Sequence, residues 1–266
     1  MNYKLKIIAT FLSIYWLSAC QNNAPKSEQT TQSSVQSEKA TPSVNNTPSV
    51  KTPNFEGFWI NSLYFKEIQT SLSPSKASKK AEIVAMSIKQ DSMGKLEAGL
   101  VFNWHEGNSY KIKSLGSDKF QLTDPNDNNK KAFDLSFADG TLKLNDSIAF
   151  TRMGNSADGE NSLTDYLVGG TYILKGTTNT IIFTKNKITG LKPYTVYSVL
   201  LDYITEQGTL FDQIALSIKE NERSEYYGFE KKGKNLTIFK LNCKNLKEDP
   251  CMSYSKGKVV YELIGQ

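Results

Sequence analysis

The chain has 266 residues, 38% of them apolar, with 32 basic and 27 acidic side chains and a formal charge of +5. That length is enough for more than one domain with its own core. The near-balance of charge argues against a nucleic-acid partner, and so do the arginines, only Arg152 and Arg223, because base and phosphate recognition favours the bidentate guanidinium fork.

Lys4 and Lys6 precede an apolar run from Ile7 to Leu17, which closes on Leu17-Ser18-Ala19-Cys20. A spanning helix needs about 20 apolar residues, so this run is too short for a permanent anchor and reads as a cleaved export signal over residues 1–19. In its whole length the segment resembles bacterial lipoprotein signals. The resemblance implies cleavage before Cys20 and acylation of Cys20, palmitate included, so that membrane lipid is the first expected partner. Each buried methylene stabilises such an anchor by about 0.8 kcal/mol, and two or three chains make attachment lasting. Gln21 stands where an aspartate would signal inner-membrane retention in some bacteria, so the expected location is the cell envelope, with the outer membrane favoured.

From Gln21 to Asn54 the composition turns to Ser, Thr, Gln, Asn and Pro, with no aromatic residue before Phe55. Such a stretch buries too little apolar surface to offset its ordering entropy, so residues 20–54 read as a lipidated cysteine followed by a disordered tether. A flexible coil of this length reaches roughly 30 to 35 Å. With Cys20 acylated, Cys243 and Cys251 remain as an even pair flanking a short polar loop. In an oxidising compartment they are expected to form a disulfide contributing about 2 to 3 kcal/mol. A metal site is the alternative use of the pair, disfavoured because the only histidine, His105, is distant in sequence.

Beyond Phe55 the chain repeats. Gly57-Phe-Trp59-Ile60 aligns with Gly170-Thr-Tyr172-Ile173, the Asp139-Gly140 hairpin with Lys232-Gly233, and Phe150-Thr-Arg152 with Tyr261-Glu-Leu263. Two modules follow, residues 55–153 and 165–266, joined by a Gly/Ser/Asn/Asp linker at 154–164. Near-alternating apolar runs at Ile83–Ile88, Leu100–Trp104, Tyr110–Ile112 and Ala132–Phe137 predict strands in the first module. Those at Thr180–Phe183, Tyr194–Val199, Ile214–Ile218 and Tyr226–Phe229 do so in the second. Tyr64–Leu72 is the one predicted helix. The fold class is therefore all-β, with two tandem small antiparallel barrels.

An opening strand with Gly57-x-Trp59, a short helix, a strand meander and Arg152 on the closing strand together resemble the lipocalin-like barrels. The likeness extends to lipid-anchored bacterial proteins that carry such domains. It implies that Arg152 packs across Trp59, worth about 0.5 to 2 kcal/mol, and that Tyr172 takes the tryptophan position in the second module. There Leu263 falls at the arginine position, so the cation pairing is expected to be lost. Thr164-Asp165-Tyr166 matches another lipocalin signature but lies in the linker, where the match reads as coincidental.

Chemistry-bearing residues are sparse. There is no nucleophile elbow, no phosphate-binding glycine loop and no metal-ligand spacing, so no catalytic residue and no cofactor are assigned. His105-Glu106 at a strand end reads as an exposed turn. Asp202 and Asp212 around Gln207-Gly208 read as turn-capping acids, with a Ca²⁺ site or acid/base pair as the sharper alternatives. Tyr194, Tyr197, Tyr203, Tyr226 and Tyr227 serve either as core, if they point inward, or as an amphipathic platform, if they point outward. The expected function is non-enzymatic. One form of it is binding of a small amphipathic ligand at Trp59, Arg152, Tyr172, Tyr194 and Tyr197; the other is engagement of an envelope protein or glycan. A structural or inhibitory interaction module with filled barrels is the alternative, and a carboxylate-based hydrolase the more distant one.

Overall fold

The protein is described by a computed structural model covering residues 55–116, 119–127, 130–154, 159–203, 211–244, 251 and 253–266. The export signal, Cys20 and the tether lie outside the described residues. Strands β1 (Gly57–Asn61), β2 (Ile83–Gln90), β3 (Leu96–Phe102), β4 (Glu106–Gly116), β5 (Lys119–Thr123), β6 (Lys131–Ala138), β7 (Thr141–Leu144) and β8 (Ile148–Gly154) form a closed antiparallel barrel. A second closed barrel is built from β9 (Gly170–Leu174), β10 (Thr180–Thr184), β11 (Lys187–Thr189), β12 (Val196–Val199), β13 (Asp212–Ser217), β14 (Glu225–Lys232), β15 (Asn235–Cys243) and β16 (Tyr254–Gly265). The two-barrel, all-β architecture expected from the repeat is the architecture found.

The repeat is also visible in the backbone. Gly57 and Gly170 open their barrels at φ 136° and 143°, a region that side chains rarely adopt, so both positions require glycine. Trp59 pairs across the barrel seam with Arg152, whereas Tyr172 pairs with Gly265 and Leu263 lies opposite Leu174. The expected equivalence of Arg152 with Leu263 is thus displaced by two residues, because register irregularities where β15 pairs with β16 shift the closing strand.

Helix α1 (Ser62–Ser71) covers the predicted helix and starts from a side-chain cap: Asn61 Oδ1 accepts from Leu63 N at 2.9 Å and Tyr64 N at 3.2 Å. Leu72 ends the helix in the left-handed region, and α2 (Pro74–Ala77) follows, capped by Ser73. The expected linker is not a plain connector. Its second half enters helix α3 (Gly159–Val168), whose apolar stripe of Leu163, Leu167 and Val168 is fully buried.

Alternation along the strands fills both barrels. Trp59, Met86, Leu100, Phe120, Leu122, Leu135 and Phe150 close the interior of barrel 1. Tyr172, Phe183, Tyr197, Ile214, Phe229 and Ile238 fill barrel 2, and their cluster continues without a break into Leu163 and Leu167 of α3, Tyr64 and Ile68 of α1, and Phe58 and Ile60 on the outer face of β1. Contact there is tight. A Cβ on Gly159 would sit 1.9 Å from the Phe58 ring.

A barrel 2 core that extends over the outer face of β1 predicts that the two barrels unfold as one cooperative unit. Leu167→Ala, which opens a cavity in the shared cluster, is expected to cost about 2 to 5 kcal/mol. Both tryptophans of the described residues belong to barrel 1. Thermal unfolding followed by tryptophan fluorescence should therefore shift together with hydrogen exchange in β9–β16. A melt that moved for one barrel alone would show independent domains.

Candidate functional site

The β3–β4 turn is where barrel 1 meets barrel 2. Asn103 and Trp104 both take positive φ, 50° and 61°, an unusual conformation for a residue as bulky as tryptophan. The expected strand Leu100–Trp104 therefore stops at Phe102. Trp104 is held in place by stacking on Phe58 (centroids 6.3 Å apart) and by an edge contact with Tyr64 (5.9 Å). The turn then presents His105, whose Nδ1 lies 2.9 Å from Oδ2 of Asp202, in the segment that follows β12.

Along the chain His105 and Asp202 are two separate turn residues; the tertiary structure makes them a pair. Glu106, by contrast, opens β4 opposite Phe102 and stays exposed. Beside the pair lies a cleft of ≈300 Å³ lined by residues that include Trp104, Glu160, Asn161, Val199, Leu201 and Tyr226. Its floor is the outer face of barrel 2, where Ser198, Ala215 and Tyr226 sit side by side across β12, β13 and β14. Tyr226 is 61% exposed.

Three buried polar atoms near this cleft lack a partner of sound hydrogen-bond geometry: Asp202 Oδ1, Trp104 Nε1 and the Tyr64 hydroxyl. Burial drives the Tyr64 ionisation far above its ordinary value, and the neighbouring Trp104 N–H works in the opposite direction. A buried polar atom left unpaired costs about 1 to 3 kcal/mol, which the mutual approach of Trp104 Nε1 and the Tyr64 hydroxyl offsets in part.

The remaining predicted positions are built into the barrels. Arg152 places its guanidinium carbon 5.6 Å from the Trp59 ring centroid and donates from Nη2 to the Glu56 carbonyl, while Trp59 Nε1 donates to the Phe55 carbonyl at 2.9 Å. Barrel 2 recovers the cation pairing from a strand that the repeat does not indicate: Lys231 of β14 lies 5.6 Å over the Tyr172 ring and donates to its hydroxyl at 3.0 Å. Burial lowers the pKa of Lys231 and raises that of Tyr172 to about 12.

Of the five tyrosines weighed as core or platform, Tyr194, Tyr197, Tyr203 and Tyr227 are buried. Tyr194 and Tyr227 share Glu225 Oε2 at 2.9 and 2.6 Å, and hydrogen bonds from Tyr227 and then Tyr194 lower the pKa of that exposed carboxylate, favouring its charged form. Tyr197 donates to Asp165 at 2.6 Å, and Lys185 N donates to the same carboxylate at 2.8 Å. The Thr164-Asp165-Tyr166 match thus covers a residue with a structural role, since Asp165 ties α3 to the β10–β11 turn. Asp212 accepts from Ser75 N at 2.8 Å across the barrel junction; burial raises its pKa, and the Ser75 bond works in the other direction.

Cys243 and Cys251 form the expected disulfide, with Cα atoms 5.9 Å apart. No group of three or more potential metal ligands occurs among the described residues, and no helix among them is long and apolar enough to cross a membrane. The class of protein that fold and site define is a tandem pair of filled, eight-stranded antiparallel barrels with a polar cleft at their junction. Comparison with protein families, with characterised proteins and with solved structures returns no match.

The buried tyrosines give a pH signature. A group whose folded value lies above its unfolded one supports the fold fully below the unfolded value and loses that support as pH rises toward the folded value. For Tyr172 the window runs from about pH 10 to about 12, and burial raises Tyr64, Tyr197, Tyr203 and Tyr227 in the same direction. Tyrosinate absorbance is expected to appear together with loss of β-sheet ellipticity in an alkaline titration. Ionisation of these tyrosines near pH 10 in the intact fold would contradict it.

Proposed function

We propose that this protein is a lipid-anchored component of the bacterial envelope, a lipocalin-like barrel pair that binds a small amphipathic ligand on the outside of its barrels, in the cleft between them. One observation carries the reading. The interiors in which a carrier barrel would hold cargo, around Trp59 and Tyr172, are filled by the chain's own side chains, whereas the junction cleft has open volume and an unpaired carboxylate oxygen.

Trp104, Val199 and Leu201 supply an apolar wall, and Asp202 Oδ1 supplies an acceptor whose carboxylate is oriented by His105. The complementary group is therefore one that presents a hydrogen-bond donor next to a nonpolar face. A non-enzymatic role is supported by the way the acids are held: Asp202 by His105, Asp212 by Ser75, and Glu225 by two tyrosines. Engagement of an envelope protein or glycan at the same surface is the second reading, favoured by the exposed Tyr226 at the cleft.

Two measurements test the proposal. Native mass spectrometry of the protein secreted without its lipid is expected to show a reproducible bound mass that Ser198→Trp, which fills the cleft from an exposed position, abolishes. Retention of that mass in the Trp variant would remove the cleft from consideration. Separately, Cys20→Ala is expected to shift the protein from the salt-washed membrane fraction to the soluble fraction, and unchanged membrane retention would refute acyl anchoring.

A further inference from the structure

We propose that the end of barrel 1 at which the described chain begins is a docking surface for an anionic lipid bilayer. The proposal takes the presence of a membrane from the lipid-anchored reading above, but its geometry is independent of that reading. In an up-and-down meander successive turns alternate between the two ends of the barrel, so the β2–β3 turn, the β4–β5 turn and the β6–β7 turn all lie at the end where Gly57 opens β1.

Between the β2–β3 turn and strands β4 and β5 is a cleft of ≈520 Å³. Leu96, Ile112 and Phe120 give it an apolar lining, and Lys95, Lys111 and Lys113 surround them, with Glu97 opposite Lys111. Lys89 and Lys119 extend the exposed basic surface at the same end. Two aspartates lie there too: Asp139 is exposed in the β6–β7 turn, and Asp91 Oδ1 accepts from Met93 N and Lys95 N at 2.8 Å each and so serves to fix the β2–β3 turn.

Those bonds, with Gly94 at φ 76°, hold the β2–β3 tip in one shape and present Met93 to solvent at 72% exposure. Leu115, at the end of the neighbouring β4, is 53% exposed. Two outward apolar tips beside an excess of lysines, five against Asp91, Glu97 and Asp139, match the interface of an anionic bilayer, where apolar side chains enter the acyl boundary and ammonium groups meet phosphates. The first described residue lies at the same place: Phe55 packs edge-on against Phe120, 4.8 Å between centroids.

Vesicle flotation of the chain from residue 21 onward, which keeps both barrels and lacks the acylation site, tests the surface without the anchor. Co-flotation is expected with phosphatidylcholine and phosphatidylglycerol in equal parts, to weaken with salt, and to be absent with phosphatidylcholine alone. Met93→Ser/Leu115→Ser is expected to weaken binding about tenfold or more, and Lys95→Glu/Lys113→Glu to abolish it. Ile218→Ser/Ile264→Ser, exposed on barrel 2, should bind as the parent does. No flotation with anionic vesicles, or equal flotation of parent and Met93/Leu115 variant, overturns the proposal. Circular dichroism establishes that each variant is folded. Failure of acyl anchoring is read from the Cys20→Ala fractionation, so the two failures are distinguishable.

Discussion

Strand β1 has no solvent face. Trp59 points into the closed interior of barrel 1, while Phe58 and Ile60 belong to the cluster that runs through α1 and α3 into barrel 2, and all five residues of the strand are buried. A barrel strand ordinarily buries one face and leaves the other to solvent. Here the second face is covered by the neighbouring module, so the position of barrel 2 against barrel 1 is a requirement of the apolar Phe58-Trp59-Ile60 run. The helices follow from it. α1 and α3 carry the side chains that complete the cover, and Gly159 exists at the start of α3 because the Phe58 ring leaves no room for a Cβ.

The same junction collects the polar groups with the least ordinary surroundings. A tryptophan at positive φ, a histidine paired with an aspartate from the other barrel, and an aspartate bonded to a backbone amide of the other barrel all lie on it. Packed interiors have little tolerance for such features, which cluster where two surfaces meet and pack less completely. Each barrel is by contrast conventional inside. A cation covers the aromatic ring that closes the seam, Arg152 over Trp59 and Lys231 over Tyr172, reached from the closing strand in one barrel and from β14 in the other.

Several parts of this arrangement were legible in the residues. Near-alternating apolar runs marked β2, β6, β10 and β13, because each must turn an apolar face into a filled barrel; β2 and β13 bury most of their other face as well. The glycine before each opening aromatic marked the start of both barrels, and Arg152 over Trp59 followed from the resemblance. The end of β3 was not legible, since Trp104 suits a strand by composition and leaves it only because the turn backbone is held by packing on Phe58 and Tyr64. Nor was Lys231 over Tyr172, whose partners are far apart in sequence and meet only through barrel closure.

By itself the sequence determined the period of each strand, the places where chain direction reverses, the cysteine pair and the doubling of the module, because these depend on neighbours within a few residues or on a pattern repeated along the chain. Only the tertiary structure decided which tyrosines are core, that the stretch between modules is a helix in a shared core, and that His105 faces Asp202. Each depends on register and closure between strands far apart in the chain. Those relations are set by the total burial of apolar surface, and no single segment encodes them.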